Sequence, residues 1–158
     1  MRMPETKDVA GIPLPPPLVY LGLLLLGLAA GGWLDLPGFG IGPLHRYIGA
    51  TLVVLGAAIL VAAVSGFRRA GTNPEPWKPT TAIVATGLYR YTRNPMYLAM
   101  AMIHAGIALM CDSPAALLAL PIALIVIQSQ VIVREERYLE AKFGEGYRHY
   151  KARVRRWL

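Results

Sequence analysis

One cysteine, Cys111, in a chain of 158 residues excludes an intramolecular disulfide and any multi-cysteine metal site. No metal-ligand set is expected. Charge is scarce as well: 16% of residues are charged against 55% hydrophobic, which moves the chain away from the ordinary soluble class. Acids are fewer than bases, nine against 16, for a net charge of +7. From Leu52 to Val64 there is no polar residue, and between Met96 and Val133 there is no lysine or arginine. What fills these gaps is long apolar sequence, in four runs: Leu18 to Leu34, Leu44 to Gly66, Met96 to Cys111 and Ala115 to Val133. A spanning helix needs ~20 predominantly apolar residues, and the third run meets that only by borrowing its first turn from the polar stretch before it. The expectation is one all-α domain over residues 1–158, an integral membrane protein with four transmembrane helices.

The position of the charges matters more than their sum. Thirteen of the 16 lysines and arginines lie between Arg68 and Arg93 or from Arg134 onward, the segments that flank runs two, three and four. The positive-inside bias puts both segments, and with them both termini, in the cytoplasm. Basic residues beside a bilayer attract anionic lipid, so nucleic acid is not needed as a partner. Arg2, Lys7 and the small residues Ala29 to Gly32 superficially resemble a signal peptide, but three prolines at 15–17 and a long apolar run argue for a retained helix.

In order, residues 1–17 hold five prolines and read as a surface arm, and 18–66 as the first two transmembrane helices. Gly27 and Gly31 have a small-xxx-small spacing, and Gly49, Gly56 and Ala63 recur every seven residues, both suited to close helix packing in lipid. His45 and Arg46 read as interfacial. Residues 67–95 form a cytoplasmic loop, ordered rather than slack because Ile83 and Val84 return it to the membrane. A helical hairpin follows over 96–133, turning at Cys111 to Pro114. His104 within it reads as a neutral histidine bonded to a neighbouring helix, ahead of a functional role. Residues 134–158 read as a C-terminal cytoplasmic helix. Phe143, Tyr147, Tyr150, Val154 and Trp157 keep helical spacing there, so the tail either lies on the membrane or folds back over a site.

Two polar clusters stand out. Gly87 to Tyr97 crowds glycine, arginine, asparagine and three tyrosines between greasy segments, with Asn94 placed to cap a helix begun by Pro95. The fourth run passes straight into Arg134, Glu135, Glu136 and Arg137, and Gln128 shares a face with Glu135 at seven residues' distance. A helical hairpin brings the acidic pair and Arg93 out on the same membrane face. As an alternative, these groups are solvated helix ends and interfacial anchors.

The chain here resembles the small integral membrane methyltransferases that include isoprenylcysteine carboxyl methyltransferase and the phospholipid N-methyltransferases. That family's Gly-x-Tyr-x-x-x-Arg-His-Pro-x-Tyr segment corresponds to Gly87, Tyr89, Arg93, Asn94, Pro95 and Tyr97. Its Glu-Glu-x-x-Leu corresponds to Glu135, Glu136 and Leu139, and its Phe-Gly with spaced tyrosines to Phe143, Gly144, Tyr147 and Tyr150. The likeness covers about residues 83–158 and leaves the first two spans without a signature.

The resemblance implies S-adenosylmethionine as cofactor, released as S-adenosylhomocysteine, bound at the cytoplasmic mouth of the hairpin. It further implies a lipophilic or lipidated acceptor arriving from the bilayer. The implied cofactor residues are Arg93 and Asn94 for the carboxylate, Glu135 or Glu136 for the ammonium and ribose hydroxyls, and Leu88, Tyr89, Tyr91, Pro95 and Tyr97 around the adenine. Arg90, Glu135 and Glu136 are the candidate catalytic residues. Arg90, or a cation from the tail, would position an acceptor carboxylate, and a glutamate would take the proton of an acceptor amine. An isoprenylcysteine-like carboxylate is the first expectation, a phospholipid amine the second, and a non-catalytic scaffold or small transporter the third. Asn94 replaces the family histidine, which excludes acid or base chemistry at that position and weakens the prenylcysteine reading.

Overall fold

The computed structural model describes residues 8–158. Of the surface arm expected over 1–17, residues 1–7 therefore lie outside the described residues. The described chain is all-helical, without strands, apart from an isolated bridge between Thr92 and Arg155. Its helices are α1 (Pro16–Trp33), α2 (Leu44–Arg69), α3 (Pro95–Met110), α4 (Pro114–Val126), α5 (Val133–Phe143) and α6 (Glu145–Arg153). A short 3-10 turn, Gly87–Arg90, precedes α3, and a π-helical segment, Ile127–Ile132, joins α4 to α5.

Three helical segments are long and apolar enough to cross a membrane: α1, α2 and the continuous rod Pro114–Phe143. The fourth expected span, α3, has 16 residues, about 24 Å at the helical rise of 1.5 Å per residue. That falls short of the ~30 Å hydrocarbon core. Its start is set by Pro95, whose missing N–H lies among the first-turn donors that lack intrahelical partners anyway. At α4 the side chain of Ser113 caps the helix by accepting from the amide of Ala116 at 3.2 Å.

Packing follows the small residues. α2 lies along α3 and α1 along α4, with α3 touching all three. A Cβ added at Gly49 would sit 2.5 Å from the carbonyl oxygen of Gly106, and one at Gly27 would sit 2.5 Å from the Cα of Ala116. Only glycine permits these backbone approaches, which supply the van der Waals contact that holds helices together where water provides no hydrophobic drive. His104 is buried, its Nε2 donating to the carbonyl of Ala116 at 2.9 Å, as expected for a structural histidine. His45, in the first turn of α2, is buried too; its Nδ1 donates to the carbonyl of Leu109 at 2.7 Å. Outward faces carry exposed Leu25, Leu26, Val54, Val61, Leu118 and Ile125.

Two expectations fail at the C-terminal end. The π-helical segment widens one turn of the rod and shifts the register beyond it, so Gln128 and Glu135 do not share a face. Gln128 is exposed and accepts from the indole Nε1 of Trp157 at 2.8 Å, while Glu135 is partly buried. Nor do residues 134–158 form one helix. Gly144 adopts φ +54°, a left-handed angle that breaks the rod, and α6 turns back before ending at Arg153. Its apolar face, Tyr147, Tyr150 and Val154, packs on Ile83, Leu139 and Phe143. The loop 67–95 is ordered: the amide of Thr81 donates to Thr72 Oγ1 at 2.8 Å, and Asn73 Nδ2 donates to the carbonyl of Pro79 at 3.1 Å.

Candidate functional site

The end of α2, the start of α3 and the start of α5 converge at one end of the bundle, and a cavity lies between them. The 73–84 loop and α6 close it from outside, supplying Asn73, Glu75, Ile83 and Val84 from the loop and Tyr147 and Tyr150 from α6. Phe67, Met96, Ile132 and Leu139 make an apolar wall, and Tyr89, Arg93, Asn94, Tyr97, Glu135 and Glu136 bring the polar groups. The N-terminal arm reaches the same place. Ala10 lines the cavity, and the Tyr138 hydroxyl donates to Asp8 Oδ1 at 3.0 Å, with Lys142 paired to the same aspartate.

The two adjacent glutamates have different surroundings. Glu136 is buried between two guanidiniums: Arg156 grips it with Nε to Oε1 at 2.9 Å and Nη2 to Oε2 at 2.8 Å, and Arg93 Nη1 lies 3.1 Å from Oε1. Glu135 receives one bond, from the Tyr97 hydroxyl to Oε1 at 2.8 Å. Its Oε2 has no hydrogen-bond partner among the described residues. Tyr97 is fixed in turn by its backbone, whose carbonyl accepts from the Tyr20 hydroxyl at 3.1 Å.

Arg93 is partly buried and its Nε and Nη1 atoms fully so, yet among the described residues these two make no aligned hydrogen bond; the contact with Glu136 is one of charge at close range. The hydroxyl of Tyr89 is also buried without a partner. Buried donors left unpaired are uncommon, and three in one cavity mark a place where a ligand's acceptors fit. Burial pushes the Tyr147 phenol up to about 12, opposed by the adjacent Arg93, and raises those of Tyr89 and Tyr150. These phenols stay neutral near pH 7 and serve as donors, not bases.

The residues singled out in the sequence thus divide. Tyr89, Arg93, Asn94, Tyr97, Glu135 and Glu136 line the cavity together. Leu88, Arg90 and Tyr91 do not; they line a separate depression beside the end of α2, with Tyr89 between the two. Arg90 is exposed and folded onto Tyr91, its Nη2 donating to that hydroxyl at 2.9 Å. Pro95 is buried at the start of α3 and does not line the cavity. Asn94 gives no cap to α3; its Nδ2 donates to the carbonyl of Arg156 at 2.8 Å. Sequence reasoning missed Arg156 and the loop residues Asn73 and Glu75, because neither periodicity nor motif spacing distinguishes them from ordinary surface polar groups.

The family model described as phospholipid methyltransferase matches residues 44–146, well over half the chain. The chain belongs to the phospholipid methyltransferase family. An uncharacterised protein of Haemophilus influenzae is 46% identical over 63 residues, 40% of this chain and the whole of that protein. No solved structure matches. The family match begins at the first residue of α2, so the second span belongs to the family pattern although it carries no motif legible by eye. It stops at Gly146, within α6, before the segment that delivers Arg156. Within the family region lie Tyr89, Arg93, Asn94, Tyr97, Glu135 and Glu136 of the cavity lining, whereas Tyr147 and Tyr150 fall just beyond it, which ties the phospholipid methyltransferase pattern to this end of the bundle.

Proposed function

We propose that the protein transfers a methyl group from S-adenosylmethionine to a lipid amine at the cytoplasmic face of the membrane. The observation that carries this reading is the charge of the cavity wall: of its three carboxylates, Glu136 is matched by Arg93 and Arg156 and Glu75 pairs with Lys78, which leaves Glu135 without a cation among the described residues. Such a wall suits a ligand bearing a sulfonium and an ammonium, and an acceptor that arrives as a cation. Nε and Nη1 of Arg93, buried without an aligned hydrogen bond among the described residues, suit the cofactor's carboxylate, and Oε2 of Glu135 suits its ammonium or a ribose hydroxyl. Phe67, Tyr89 and Met96 offer an apolar surface to the adenine.

When bound, the cofactor supplies an electrophilic methyl group. The chain's own contribution is orientation and exclusion of water, through the loop and α6 that cover the cavity. An amine must be neutral to attack, and Glu135 is the carboxylate with an oxygen available for its proton. An acceptor carboxylate would call instead for a free cation near the reacting atoms. Arg90, one candidate for that role, stands in the other depression, and the tail cation at the site, Arg156, is engaged by both oxygens of Glu136, which favours the amine over the isoprenylcysteine-like carboxylate. The cytoplasmic orientation rests on the basic residues gathered at this end, from Arg68 to Arg93 and from Arg134 onward.

The test is methyl transfer by the protein reconstituted in vesicles, with methyl-labelled S-adenosylmethionine and either phosphatidylethanolamine or a prenylated cysteine as acceptor. Label that stays non-volatile after alkali treatment is expected, because an N-methyl bond survives alkaline hydrolysis. Label released by alkali as volatile methanol, as from a methyl ester, would move the assignment to the carboxylate acceptor; no transfer to either would remove the lipid-acceptor reading.

A further inference from the structure

Arg156 lies outside the family match and outside every motif in the sequence, yet it holds the most completely bonded acid in the molecule. The chain after α6 runs back beside the start of α3 as a strap. The amide of Arg93 donates to the carbonyl of Arg155 at 2.9 Å, and Thr92 Oγ1 and Asn94 Nδ2 both donate to the carbonyl of Arg156, at 3.2 Å and 2.8 Å. Trp157 fastens the far end to Gln128. With its backbone fixed in this way, Arg156 turns its guanidinium onto Glu136 and engages both carboxylate oxygens.

The consequence falls on Arg93. A carboxylate buried with one guanidinium draws that guanidinium into the paired, fork-to-fork geometry such groups prefer. Here Arg156 already occupies that geometry, so Arg93 meets Glu136 only through an unaligned ion pair from Nη1 at 3.1 Å, and its Nε has no partner among the described residues. We infer that Arg156 is a positioning residue: by saturating Glu136 it keeps the donors of Arg93 free for the carboxylate end of the methyl donor. This rests on the methyl-donor reading above. It also gives Asn94 a role, since the side chain that replaces the family histidine is one of the two that hold the strap.

The experiment compares the binding of two ligands, by calorimetry in detergent, to the full-length wild type, Arg156→Gln and Arg156→Lys. S-adenosylhomocysteine carries the amino-acid carboxylate; 5′-methylthioadenosine keeps the nucleoside and lacks that group. The expected result is at least about a tenfold loss of S-adenosylhomocysteine affinity in Arg156→Gln, with 5′-methylthioadenosine affinity unchanged. Arg156→Lys should lose an intermediate amount, because lysine keeps the charge and gives up the bidentate grip. Equal loss of both ligands in both variants would mean that the strap only supports the fold, and no loss in either would mean that Arg93 is placed without it; each result overturns the inference. Failure of the methyl-donor reading itself is distinguishable, because the wild type would then bind neither ligand.

Discussion

At the scale of residues, the adjacent glutamates show how one turn of helix separates two roles. Glu136 is closed by two arginines, whereas Glu135 keeps an oxygen open to the cavity. Removing the Tyr97 hydroxyl takes away the only side-chain hydrogen bond to Glu135 among the described residues, and Tyr97→Phe should cost about 1.5–3 kcal/mol, the usual worth of a hydrogen bond to a charged group, measured by denaturant unfolding in detergent. Tyr147 makes a prediction about pH. Its folded phenol titrates at about 12 against an ordinary value near 10, so the unfolded chain loses that proton first as pH rises. Stability should therefore fall between about pH 10 and 12, and Tyr147→Phe should flatten that part of the profile; an unchanged slope would contradict the assignment. Arg93, Tyr97 and the acid pair were legible because a short motif on either side of a helical hairpin must meet at one end. The role of Asn94 was not legible: its capping position was plain in sequence, but its partner lies 62 residues away on the strap.

At the scale of elements, apolar runs marked the helices well, since a continuous greasy stretch bounded by glycine and proline leaves the backbone few other ways to satisfy its polar groups in lipid. The heptad of Gly49, Gly56 and Ala63 likewise announced the face that meets α3. Gly49→Val should force the two backbones apart and destabilise the protein by about 1–3 kcal/mol, the usual cost of overpacking, read from the midpoint of unfolding. Wild-type stability in that variant would show that α2 and α3 are not in such close contact. The π-helical turn at Ile127–Ile132 was not legible, because a shift from i→i+4 to i→i+5 bonding leaves no residue type behind. The break at Gly144 was hidden for a different reason: the tyrosine spacing continues across it, and a glycine inside a helical pattern does not reveal its own φ. Gly144→Ala should cost more than about 1 kcal/mol, since alanine resists the +54° angle that turns α6 back.

At the scale of the molecule, the bundle presents apolar faces outward and gathers most of its charged residues at one end, an arrangement that suits a surface site better than a transport path through the bilayer. The family pattern covers α2 to the start of α6, and the segments outside it, the N-terminal arm and the C-terminal strap, both close on the same cavity. The central claim is that this cavity holds the methyl donor through Arg93 and Glu135. Calorimetric titration of the detergent-purified protein with S-adenosylhomocysteine, beside Glu135→Gln, tests it most directly. The account predicts saturable binding to one site in the wild type and at least about a tenfold loss in Glu135→Gln, equivalent to about 1.4 kcal/mol. A folded wild type that binds no S-adenosylhomocysteine in detergent or in lipid would contradict it.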